Sequence, residues 1–284
     1  MRDVAPEAPK EIVIRARRGF RPIPLRELWQ YRDLLFTLAQ RDIKLRYRQT
    51  ALGAAWVVLQ PLIGAGLFSF VFGSVAKLPS GGVPYFLFSY AGLLGWSVFS
   101  TTITKASGSL VGNSNLVSKV YFPRLILPLS SALGVLLDFA VGLVMLVVLL
   151  AIYHVGLTVG ILALPVFVLA ACALAMGLGL FAASLMVSYR DVQYIVPVFT
   201  QFLLYASPVA YAASLIPERV GPKVATIFAV NPLVGLMEAF RWSCLGTPVA
   251  SWGAVAYSLG VSLVLLILGA TAFQGMERRF ADVI

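Results

Sequence analysis

The chain has 284 residues, of which 60% are apolar and only 12% charged, with a net charge of +10 and a mean hydropathy of +0.89. Soluble domains carry about 25% charged residues, so a water-soluble globule of this length would lack the polar side chains to cover its surface. An enzyme built on a large soluble catalytic domain is excluded, and a polytopic membrane protein is expected. Twelve of the 22 Lys and Arg residues lie in 1–50, beside the first apolar run and mixed with six acids. Lipid headgroups and the excess of basic residues on cytoplasmic loops account for that placement. Nucleic acid is not an expected partner. Cys172 and Cys244 are far apart, and no disulfide framework or metal site is read from them.

Residues 1–24, with Pro6, Pro9, Pro22, Pro24 and the run Arg15-Ala-Arg17-Arg18, contain no apolar stretch of the signal-peptide kind and read as a flexible cytosolic tail. Over 25–49 the pattern changes. Leu28, Tyr31, Leu35 and Leu38 recur at steps of three and four, while Arg26, Glu27, Arg32, Asp33, Arg41, Asp42 and Lys44 fill the other faces. That periodicity predicts an amphipathic helix lying on the bilayer surface, with a helix packed on a soluble partner as the alternative.

Six apolar runs follow, at about 51–76, 85–104, 125–153, 159–187, 193–213 and 252–274. Each meets the roughly 20 residues a helical crossing needs, so an all-α integral membrane protein with a six-span domain over 50–274 is predicted. The third run exceeds one crossing and is expected to tilt or to extend past the membrane. Pro61 in the first run, and Pro197 and Pro208 in the fifth, predict kinks. Six crossings place both termini on one side. With 1–50, 105–124, 188–192 and a C-terminal 275–284 inside, eighteen basic residues are cytoplasmic and four lie outside, so the orientation reads N-in, C-in. The outer segment 214–251 is broken by Pro217, Pro222, Pro232 and Pro248, yet 233–245 reads as a helix too short to span. Short re-entrant helices at the outer mouth of a pathway are expected, a plain interfacial loop being the alternative.

Catalytic chemistry is sparse. The single histidine, His154, falls at the outer end of the third run. No G-x-x-x-x-G-K-[ST] phosphate loop, H-E-x-x-H or G-x-S-x-G motif occurs. Work on a substrate therefore needs energy from a gradient or a partner. Asp138 is the one ionisable residue well inside an apolar run, suited to pairing with a basic group or to proton coupling. Lys105, at the inner end of the second run, is able to snorkel. Between the second and third runs, Asn113 or Ser114 is placed to cap a short helix toward Tyr121, ended by Pro123. Its Leu116, Val117, Val120 and Tyr121 would offer apolar surface to a cytosolic partner or pack on the protein's own helices.

Leu25-Arg-Glu-Leu-Trp29, Arg41-Asp-Ile-Lys-Leu-Arg-Tyr47, Gln49-Thr-Ala-Leu-Gly53, Leu59-Gln-Pro61, Asn115 through Arg124, Tyr189-Arg-Asp-Val192, Ala206-Ser-Pro208 and Asn231-Pro-Leu233 stand in order along 25–274. Together they resemble the membrane subunits of ABC exporters for bacterial surface polysaccharides, which handle lipopolysaccharide O antigen, capsule or teichoic acid. The resemblance implies a permease of the bacterial inner membrane that works as a homodimer with two copies of a separate ATP-binding subunit. ATP and magnesium would then be bound by that partner and no cofactor by this chain. It further implies an ATPase-coupling helix at 113–124, carried by Asn113, Asn115, Lys119, Tyr121, Phe122 and Arg124. The interface helix would act through Trp29, Arg41, Asp42 and Arg46, close to membrane lipids and to the entry of a lipid-linked polysaccharide. An outer gate is implied around Glu238, Phe240, Arg241 and Trp242. Because sugar C–H faces stack on aromatic rings, Trp56 and Phe68 in the first span and Tyr194, Phe199, Phe202 and Tyr205 in the fifth are candidate channel-lining groups. An exporter of drugs or lipids with the same architecture, a membrane-embedded sugar transferase and a gradient-driven carrier are the alternatives.

Overall fold

A computed structural model of the chain describes residues 25–48 and 55–283, and every regular element among them is helical. The tail expected over 1–24 lies outside the described residues. Helix α1 (Leu25–Gln30) passes at Tyr31 into α2 (Arg32–Arg48), and helical hydrogen bonds from Tyr31 to Glu27 and from Leu35 to Tyr31 bridge the junction, so the predicted amphipathic helix is nearly continuous. Its apolar stripe packs on the protein's own bundle. Leu28, Tyr31, Leu35 and buried Leu38 pack into a cluster with Ala106, Leu110, Leu127 and Phe273, leaving Trp29 and Phe36 on the exposed face.

Helix α3 (Ala55–Phe68) absorbs Pro61 and continues as a π-helical segment, Ser69–Val75. Then come α4 (Tyr85–Gly108), the short α5 (Ser114–Lys119), α6 (Ile126–Ile152), α7 (Leu164–Ser188, extended outward by a 3-10 turn at Val159–Ala163) and α8 (Val192–Tyr205). The outer segment holds α9 (Leu215–Val220), α10 (Pro222–Ala229) and α11 (Pro232–Leu245), before α12 (Trp252–Val283) returns. Five helical stretches have the length and hydropathy of a crossing: Ala55–Val75, Tyr85–Gly108, Ile126–Ile152, Val159–Ser188 and Trp252–Glu277.

The fifth apolar run departs from its predicted form. Instead of a helix over 193–213, α8 has 14 residues, about 21 Å at 1.5 Å per residue against a core of about 30 Å. Beyond Tyr205 the chain turns through Ser207-Pro208, because the residue before proline avoids the α region. Non-helical backbone is tolerated at membrane depth where protein covers it. Here Ser207, Val209 and Ala210 are buried, and the Tyr85 hydroxyl donates to the Ala210 carbonyl at 2.6 Å, which puts this stretch level with the outer start of α4. The third run is a single helix of 27 residues, longer than one crossing needs, and its first turns pack beside α2 and the last turns of α12. The segment 275–284, expected as the cytosolic C-terminus, continues α12 as far as Val283.

The core runs along α4 and α7, with α6, α11 and α12 around them. Lipid tails are as apolar as leucine, so membrane helices gain their contact from close packing of small residues. The α7–α12 seam is the tightest instance. A Cβ at Gly269 would lie 2.0 Å from the Gly177 carbonyl oxygen, and one at Gly177 would lie 2.3 Å from that of Leu265. By contrast α3 and α8 are held along one side only.

At the outer end of α6, His154 takes φ +54° while the Val155 N–H reaches back to the Leu150 carbonyl, the left-handed ending that favours glycine. His154→Gly is therefore expected to raise stability by about 0.5–1 kcal/mol, read as a higher melting temperature in detergent. A fall would show that the imidazole has a role of its own.

Candidate functional site

At the inner end, the coupling helix predicted toward Tyr121 stops at Lys119, since Val120 is extended. Its six predicted residues separate into two groups. Asn115, Lys119 and Tyr121 are exposed, together with Val111 and Val120. The other three anchor the segment. Phe122 is buried. The Arg124 guanidinium donates to the Glu277 backbone carbonyl and lies 5.8 Å from the Phe280 ring centroid, while the Arg124 N–H donates to the Glu277 carboxylate at 3.2 Å. Asn113 does not cap the helix with its side chain. Its Oδ1 accepts from Arg41 Nη2 at 2.7 Å and its Nδ2 donates to the Ser109 carbonyl at 2.9 Å. Arg41 also pairs with Asp42 at 2.9 Å, so two of the predicted interface-helix residues are joined to the coupling segment. Trp29 stands at the surface with the Arg32 guanidinium 5.1 Å over its ring, and the side chain of Arg46 lies outside the described residues.

Beneath this joint Lys105 of α4 and Asp138 of α6 form an ion pair at 3.6 Å. Neither stood among the predicted site residues. The available signal was that Asp138 is a lone acid inside an apolar run, with Lys105 the nearest base at a helix end.

At the outer end, α10 and α11 form a hairpin of two apolar helices bent by 77° within the segment 214–251. Asn231 accepts from the Leu233 N–H to cap α11, and its Nδ2 donates to the Ala206 carbonyl and to Ser207 Oγ, which ties the hairpin to the end of α8. The four predicted gate residues turn into the bundle. Phe240 packs on Phe139 and against Gly95, and Trp242 lies edge-on to Phe167 and Trp252. Glu238 is buried and accepts from the Ala250 backbone. Arg241, 2% exposed, donates from Nη1 to the Val209 carbonyl at 3.2 Å and stacks 4.2 Å over the Phe88 ring. A Cβ at Gly92 would lie 2.2 Å from that same carbonyl oxygen, so glycine is what admits the strand of chain to Arg241. Tyr85, Phe88 and Gly92 belong to this arrangement and carried no motif that would have marked them.

The candidate lining aromatics lie on the loosely held helices. On α8, Val192, Val196 and Thr200 face inward at helical spacing, while Tyr194, Phe199, Phe202 and Tyr205 are exposed, Phe202 at 71%. On α3, Trp56 is exposed and Phe68 is half-buried, edge-on to Phe72. No group of three or more His, Cys, Asp or Glu able to hold a metal exists among the described residues.

Residues 33–245 match the family described as ABC-2 type transporter. The chain belongs to that family. It is therefore an ABC-2 permease, a multi-pass protein of the inner membrane and a transport subunit. It is similar to the O-antigen export system permease protein RfbA of Myxococcus xanthus, 31% identical over 260 residues, covering 92% of this chain and 98% of the relative. Two proteins of the same name from Klebsiella pneumoniae are 27% and 26% identical over 255 and 254 residues, each covering 89% of this chain and 95% of the relative. The ABC-2 match takes in the interface helix from Asp33, the coupling segment and the outer hairpin through Leu245.

Proposed function

We propose that this ABC-2 permease pairs with a second copy and with two copies of a separate ATP-binding subunit to export a lipid-linked polysaccharide, O antigen of lipopolysaccharide. The observation that carries the substrate is its likeness, over nearly the full length of both chains, to permeases named for O-antigen export. The sequence has no phosphate loop of its own, which accords with hydrolysis on a partner. Exposed Val111, Val120 and Tyr121 beside Lys119 form an apolar patch with one cation, braced from behind by Phe122 and Arg124. Such a patch suits a groove in the ATP-binding subunit, which would push on it as the two copies close. The exposed aromatic face of α8 suits a sliding polymer or the second copy, because rings bind each sugar weakly and let it pass.

A strain lacking the chain is expected to lose long surface polysaccharide and to accumulate it, lipid-linked, inside. Lys119→Glu with Tyr121→Ala is expected to cut co-purification of the ATP-binding subunit at least about tenfold, the effect of losing roughly 1.4 kcal/mol of binding, with the permease still present in the membrane. Unaltered surface polysaccharide in the deletion strain would refute the substrate, and unaltered co-purification would refute the docking patch.

A further inference from the structure

The Lys105–Asp138 pair borders a cavity of about 340 Å³ at the inner end, lined by Asp42 of α2, Lys105 and Ser109 of α4 and its cap, Asn113 of the coupling segment, and Ser131 and Asp138 of α6. The interface helix, α4, the coupling segment and α6 therefore all contribute to one cavity. Its hydroxyls are committed: Thr104 donates to the Ser100 carbonyl, Ser109 to that of Ala106 and Ser131 to that of Leu127. Asp42 already has Arg41 as its counter-charge. Lys105 and Asp138, 26% and 15% exposed, join α4 to α6 across the cavity. Lys105 reaches its partner by lying beside Gly134, one turn before Asp138, where a Cβ would stand 4.0 Å from Nζ.

A cavity of this size, with these polar groups on its wall, admits water, so the pair is able to part and re-form without leaving either charge in hydrocarbon. A second, separated arrangement is therefore open to it, which a transmitting element needs and a close-packed joint lacks.

We propose that Lys105 and Asp138 are positioning residues that lock α4 to α6 while the coupling segment is at rest, and that their separation hands the movement of that segment on to the spans. The Arg41–Asn113 bond holds the same segment to the interface helix, so a push at Val120 and Tyr121 reaches α2 through Asn113 and α6 through Lys105. This rests on the reading of the chain as an ATP-driven exporter.

The test uses the full permease with its ATP-binding subunit, in a deletion strain complemented with wild type or with variants. Asp138→Asn and Lys105→Gln are expected to leave membrane level, co-purification and ATP hydrolysis within about twofold of wild type while export falls at least about tenfold, the range of a 1–3 kcal/mol coupling energy. The exchange Lys105→Asp with Asp138→Lys is expected to recover half or more of the export. Failure of the wild-type chain itself to restore export would sink the exporter reading and not the pair. With wild type working, export within twofold in the single variants would overturn the proposal. So would loss of the single variants from the membrane or from the complex, since the pair would then be structural, and so would an assembled exchange variant no better than either single one. Should the exchange not accumulate, Lys105→Arg decides instead: retained coupling supports the pair, and lost coupling overturns it.

Discussion

Gly269→Ala is expected to be among the most damaging single-methyl additions in this protein. The new Cβ would stand 2.0 Å from the Gly177 carbonyl oxygen, inside any real non-bonded distance, and the obstacle is backbone on a neighbouring span that no rotamer change relieves. Overpacking a good core costs about 1–3 kcal/mol where side chains are free to shift. Here α7 and α12 would have to move apart along the seam that holds α12 to the bundle, and a loss of about 3 kcal/mol or more is expected. Gly260→Ala is the control on the same helix, because nothing lies within 4 Å of a Cβ there. Alanine is the better helix former, so that change should be neutral or stabilising by up to about 1 kcal/mol. The check is monodisperse recovery and thermal unfolding of both variants in one detergent. Equal behaviour of the two would mean that the α7–α12 seam is looser than described.

Arg241→Met carries the second large effect. The guanidinium is buried, holds the Val209 carbonyl and stacks on Phe88, and the buried acid Glu238 lies one turn earlier on α11. Methionine keeps much of the volume and removes the donor, leaving the Val209 carbonyl without its partner and Glu238 without a neighbouring cation. Losing a buried hydrogen bond to a charged group costs about 1.5–3 kcal/mol. Arg241→Lys should lose less, since it keeps the charge and gives up the planar fork and its stacking. Adding Glu238→Gln to Arg241→Met is expected to recover part of the loss, because it removes the stranded charge. Thermal stability gives the order, wild type above Lys above the double variant above Met alone. A fully stable Arg241→Met protein would show that the outer end of α8 does not depend on this contact.

Hydropathy alone fixed much of the architecture. The runs at 85–104, 125–153 and 159–187 meet helices Tyr85–Gly108, Ile126–Ile152 and Val159–Ser188, and the short helix expected at 233–245 is Pro232–Leu245. What it could not carry is how polar groups pair over long separations. Seventy-two positions divide Arg41 from Asn113, and 153 divide Arg124 from Glu277. Asn113 and Ser114 both suit a cap, because local capping is the common use of such residues before a helix; a distant guanidinium holds Asn113 instead. The stripe of α1–α2 gave its helix and left its partner open, because an apolar face looks the same whether lipid or protein covers it; the bundle covers Leu28, Tyr31, Leu35 and Leu38. The shape of the fifth span was hidden for a similar reason. Composition over 193–213 stays apolar across Pro208, and the donors that hold an irregular backbone there come from far along the chain, Asn231 at the end of α8 and, beyond it, Tyr85 and Arg241.

Tyr85 and Arg241 grasp main-chain oxygens, and this shapes how the protein is able to vary. Every amino acid supplies a carbonyl, so the identity of the side chains at 209 and 210 is nearly irrelevant to the grip. Spacing is what counts. Removing or inserting one residue between Tyr205 and Val209 would carry both oxygens away from Arg241 and Tyr85 together, so this short stretch should tolerate volume-conserving substitutions and no change of length.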